Sequence, residues 1–69
     1  MREIFARHQM LPMFINRGDV VTCYDAEDDV YSEFKINGCG LFQSGPFEGY
    51  EWFEGVNTET LEVVLIIVE

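Results

Sequence analysis

Basic residues are scarce in this 69-residue chain: Lys35 is its only lysine, and Arg2, Arg7 and Arg17 are its only arginines. Against these four cations stand thirteen Asp and Glu, for a formal charge of −9. Recognition of a nucleic acid backbone or an anionic bilayer rests on clustered Lys and Arg, so direct binding to either is disfavoured. The shortage is concentrated in one part of the chain. Residues 1–18 carry three arginines and Glu3, whereas residues 19–69 carry Lys35 against twelve carboxylates, a local sum of −11. Basic proteins, above all nucleic-acid-binding ones, are the partners such a charge fits.

Long apolar runs are also missing. The longest, Val63 to Val68, has six residues, whereas a membrane helix needs roughly 20. Met1 to Gln9 contains Arg2, Glu3, Arg7 and His8 rather than a continuous apolar segment, which sets a cytoplasmic location as the expectation. Cysteine is limited to Cys23 and Cys39, and in that compartment both are expected as free, buried thiols. With His8 they give three ligands of structural-zinc type, without the close Cys spacing such sites use.

His8 is the only histidine, and no nucleophile or carboxylate stands at a known family spacing from it. Gly38-Cys39-Gly40 lacks the third glycine and the lysine of a phosphate loop. Asp25, Glu27, Asp28 and Asp29 are oxygen ligands in one loop, but positions six and twelve counted from Asp25 are Val30 and Ile36 rather than the Gly and Glu of an EF-hand. The expectation is a non-enzymatic protein with no cofactor and no metal.

What the chain does hold is apolar and aromatic: 48% of it is hydrophobic, with six Phe, three Tyr and Trp52. That composition predicts a folded chain, and its length allows one domain, residues 1–69. Met1, Ile4, Phe5, His8 and Leu11 fit a short helix stopped by Pro12. A strand with Ile4, Ala6, His8 and Met10 on one face fits nearly as well. Val20 to Tyr24 reads as a strand, Asp25 to Asp29 as a hairpin loop, and Val30 to Asn37 as the clearest alternation in the chain. Pairing Asp25 with Val30 sets Cys23 opposite Ser32 and Val21 opposite Phe34, which buries Val21, Cys23, Phe34 and Ile36 together.

Gly38 and Gly40 mark a turn or bulge, Leu41 to Gln43 a short strand, and Ser44 to Gly49 a loop. Tyr50 to Glu54 is a further strand, and Gly55 to Thr58 a turn. Leu61, Val63, Leu65 and Ile67 form one face of a last strand whose other face is also apolar. Such a strand is central in its sheet or makes a subunit contact. These elements predict an α+β, β-rich domain, an antiparallel sheet or small open barrel of four to five strands with a short N-terminal helix over one face. All-β is the alternative.

Two acidic segments are the candidate partner-binding sites: Asp25, Glu27, Asp28 and Asp29 at the hairpin tip, and Glu48, Tyr50, Glu51, Trp52 and Glu54 in the stretch that Glu59 and Glu62 follow. Residues i and i+2 of a strand stand about 6.6 Å apart on one face, so carboxylates on neighbouring strands can present a row of charge like that of a phosphate backbone. Tyr50 and Trp52 are the residue types that anchor protein interfaces, unless they serve the core. The expected function is therefore a non-catalytic inhibitor that occupies the basic nucleic-acid site of a larger protein. In size and charge the chain is similar to DNA mimics and to phage counter-defence proteins such as anti-CRISPR and anti-restriction inhibitors, with no family's residues matched. The alternative is a small structural or regulatory subunit that homodimerises through its C-terminal strand.

Overall fold

The alternation at residues 30–37 supplies the longest element of the protein. A computed structural model describes all 69 residues, and in it β3 (Val30–Leu41) runs for twelve residues beside β2 (Val20–Asp25). Their register is the expected one: Asp25 faces Val30, Cys23 faces Ser32 and Val21 faces Phe34. Val21, Cys23, Phe34 and Ile36 are all buried. Period-two alternation with one apolar face leaves little freedom of register, because a slip by one residue would turn Phe34 and Ile36 into solvent.

β4 (Glu51–Asn57) pairs antiparallel with the other edge of β3, and β5 (Val63–Val68) pairs antiparallel with β4. β1 (Arg2–Ala6) completes the sheet beside β5 in parallel, giving the order β1-β5-β4-β3-β2. The sheet curls into a half-barrel whose edge strands, β1 and β2, approach each other. Ile4, Val21, Phe34, Ile36, Phe53, Val64, Ile66 and Val68 fill its interior. Leu11 and Ile15, from the long connection between β1 and β2, pack against that core.

The fold is thus all-β, and the expected N-terminal helix is absent. Residues 2–6 form a strand, and the only helical piece is a 3₁₀ turn at His8–Met10. Ile4 and Ala6 bury their side chains at strand period while Glu3 and Phe5 face out. Five residues of ambiguous periodicity are decided by the partner on offer, since β1 covers the edge that β5 would otherwise leave open. The same pairing makes the sheet mixed rather than antiparallel. Leu41 is the end of β3 rather than the start of a separate strand, and β4 runs on through Gly55 to Asn57. In β5 the core face is Val64, Ile66 and Val68, while Leu61 lies outside the strand, exposed.

Gly38 and Gly40 belong to a β-bulge: the β3–β4 register shifts between Ile36 and Gly38. Beyond it Gly38 and Gly40 face outward, opposite Glu54 and Trp52. A Cβ on Gly40 would lie 2.6 Å from Cζ2 of Trp52, so the indole rests directly on the glycine. Outward-facing Ile67 is fully buried and stands in register between Phe5 on β1 and Trp52 on β4. Phe47, in the β3–β4 loop, contacts Phe5 (5.6 Å between ring centroids), Phe42 (5.7 Å) and Tyr50 (6.0 Å). To reach Phe5 the loop crosses β5, and its aromatics give the sheet a small second apolar layer.

Candidate acidic interface

Strand direction decides where the charges go. β2 and β4 end, and β1, β3 and β5 begin, at the same end of the half-barrel. The β2–β3 tip, the β4–β5 turn and the first residues of β1 are therefore neighbours there. This end carries Glu3, Asp25, Glu27, Asp28, Asp29, Glu33, Glu59 and Glu62, eight carboxylates, and one basic side chain, Arg2. Seven of the nine net negative charges sit at one end of the molecule.

Arg2 joins the acidic segments. Its Nη1 donates to Asp25 Oδ1 at 2.8 Å and lies 3.5 Å from Glu27 Oε2, while Nε and Nη2 form a two-pronged contact with Glu62 at 3.0 and 2.7 Å. Those hydrogen bonds hold the Asp25 and Glu62 carboxyls below their ordinary values and raise the guanidinium above its own. Asp25 is 2% exposed. It clasps β2 to β1 and is unavailable to a partner, which corrects its place among the candidate contacts.

Both turns are shaped by their own side chains. Asp25 Oδ1 accepts the Glu27 amide at 3.1 Å, and Tyr24 donates its hydroxyl to Asp29, a bond that raises the Tyr24 pKa. Asp29 takes φ = +55°, a conformation Asp tolerates better than most residues. In the other turn Asn57 Oδ1 accepts the amides of Glu59 and Thr60 at 2.8 and 3.1 Å, and Thr60 Oγ1 accepts that of Glu62 at 3.2 Å. Exposed Glu27, Asp28, Asp29, Glu59 and Glu62 thus stand on turns with fixed backbones. No group of three or more His, Cys, Asp or Glu side chains is arranged to hold a metal ion.

The second candidate stretch does not form one surface. Glu51 lies across from Leu41 and lines a cleft on the inner side with Phe53, whereas Glu54 faces outward opposite Gly38. Glu48 is exposed on the β3–β4 loop. Trp52 is half-buried on Gly40, and Tyr50, 40% exposed, stacks on Phe47, so both aromatics serve the outer apolar layer. All of Glu48, Tyr50 and Glu51 lie towards the end opposite the acidic one. Sequence reading left Glu3, Glu33, Glu59 and Glu62 out of the interface, since their proximity to the hairpin tip depends on strand order.

Ten of the thirteen carboxylates lie outside any ion pair, because Arg2 alone engages the other three. No helix is long and apolar enough to cross a membrane. Comparison with family models, with curated proteins and with solved structures finds no match.

Proposed function

We infer that this protein is a non-catalytic acidic binding protein whose charged end enters the basic nucleic-acid site of a larger protein and blocks it. One observation carries this reading: the fold gathers carboxylates from three separate chain segments at one end, with Arg2 as the only basic side chain among them. Solubility alone would be served by dispersed charge, and concentrating like charges opposes folding. A fixed acidic end instead steers association with a basic cleft and competes there with phosphates. Proteins that handle DNA or RNA through such clefts, including restriction and RNA-guided nucleases, are the partner class.

Homodimerisation through strand pairing of β5 has no structural support, since β1 and β4 occupy both edges of that strand.

The test is DNA cleavage by a panel of purified restriction and RNA-guided nucleases with and without the protein. Inhibition of at least one enzyme is expected, weakening as salt rises and lost in a variant combining Asp28→Asn, Asp29→Asn and Glu59→Gln. Absence of inhibition across the panel, or inhibition that the triple variant retains at full strength, overturns the reading.

A further inference from the structure

The connection between β1 and β2 is unlike the rest of the surface. Met10, Met13 and Phe14 are 61%, 88% and 79% exposed within five residues, and the segment is flanked by Arg7 and Arg17, neither of them in an ion pair. Between this connection and β4 lies a cleft of about 550 Å³, with Met13 and Phe14 at one wall and Glu51 and Phe53 at the other. Large apolar side chains with arginine, on a surface otherwise rich in acid, match the composition of protein interface cores. We propose that this end docks on a second copy of the same chain, the two 7–17 connections packing against each other about a twofold axis.

Charge decides the occupant. The end that bears the connection holds Arg7 and Arg17 together with Asp19, Glu48 and Glu69, and Glu51 lies in the cleft itself. A self-complementary contact offers each arginine the carboxylates of the other copy, as an isologous interface requires. An anionic bilayer would satisfy the arginines and repel these carboxylates. The docking end holds two arginines against Asp19, Glu48, Glu51 and Glu69, a side-chain balance of −2 per copy, so most of the net charge lies at the far end. The shortest dimension of the molecule is 23 Å, and the acidic ends point away from each other, so their repulsion acts across several Debye lengths of about 8 Å at physiological salt.

Sedimentation equilibrium of the full chain over a concentration series tests the proposal. The expected result is a reversible monomer–dimer equilibrium built on the 8.0 kDa chain, retained at raised salt because apolar burial drives it. Met13→Ser with Phe14→Ser should weaken dimerisation about ten-thousandfold, tenfold for each of the four side chains that the two copies together lose. Both side chains are exposed, so the melting temperature of the diluted, monomeric protein should not move. Concentration-dependent amide shifts in the unaltered protein give an independent readout and should be confined to residues 7–19 and the start of β4. A single 8.0 kDa species at every concentration, shifts elsewhere, or binding of the monomer to anionic vesicles through this tip overturns the dimer. Asp28→Asn with Glu59→Gln should leave dimerisation intact, so failure here and failure of the proposed inhibition are separable.

Discussion

Arg2 at the start of β1 and Asp25 at the end of β2 meet at 2.8 Å, joining the two edge strands of a half-barrel that no backbone ladder closes. Asp25 is 2% exposed, so it depends on that guanidinium and on backbone amides for compensation. Arg2→Met should therefore lower the melting temperature more than Glu62→Gln does, because only the first strands a buried charge. Equal effects in thermal denaturation would show that the contact with Glu62 carries the arginine's contribution.

The clasp also has a pH signature. Hydrogen bonding from Arg2 depresses the Asp25 pKa from its ordinary value of 3.8. A carboxylate depressed in the folded state contributes stability that is complete above its unfolded pKa and is lost as pH falls through the folded one. Asp25→Asn should destabilise the protein at neutral pH, and the gap to the unaltered protein should close below pH 3.8. Paired melting curves at neutral and acidic pH check this, and a gap independent of pH rules out the ion pair as its source.

Burial separates the two thiols, which the composition alone left alike. Cys23 is 4% exposed and its pKa is pushed up to about 11, whereas Cys39 faces solvent, contrary to the expectation that both are buried. A disulfide-exchange reagent at mildly alkaline pH should modify one equivalent of thiol in the native protein, at Cys39, and a second only on denaturation. Rapid loss of both thiols would place Cys23 at the surface and break the β2–β3 register.

How far the sequence could be read follows from which constraints are local. The register of the β2–β3 hairpin was legible to the residue, because its strands adjoin in the chain and one face alternates strictly, although β2 runs one residue further, to Asp25, and β3 continues past Asn37 to Leu41. β5 was legible as a strand but not by face: with both faces apolar, only the neighbouring layer decides that Val64, Ile66 and Val68 point into the barrel. β1 was misread because five residues supply no periodicity that distinguishes helix from strand, and its partner lies sixty residues away. The candidate site was half legible for the same reason. Asp28 and Asp29 declare themselves within one loop, but their alliance with Glu59 and Glu62 exists only once the strand order is known.

That face assignment can be checked directly. Ile66 is 1% exposed in the main core, while Leu65, on the outward face between Glu54 and Glu3, is half-buried. Ile66→Ala should cost about 2–5 kcal/mol, and Leu65→Ala clearly less. Chemical denaturation gives both values, and the reverse order would invert β5.

Among the glycines, Gly40 is the one at which an added Cβ would come closest to a neighbour, the Trp52 indole, and this yields a prediction that combines packing with a spectroscopic readout. An added Cβ at position 40 would stand 2.6 Å from Cζ2 and 2.8 Å from Cε2 of the indole, both well inside van der Waals contact. Alanine is otherwise the better strand residue, having less backbone entropy to lose, so propensity argues for stabilisation and sterics against it. Sterics should win, because Trp52 is held between Gly40 and Ile67 in adjacent strands. Overpacking of this kind costs about 1–3 kcal/mol, and the displaced ring, the only tryptophan in the chain, should report the change in its emission. The control is Gly40→Ala in a Trp52→Leu background, where the ring is gone and the remaining effect should be small or favourable. Their difference isolates the contact. If Gly40→Ala costs the same stability in both backgrounds, the glycine is required by the bulge at residues 36–38 rather than by the indole lying on it.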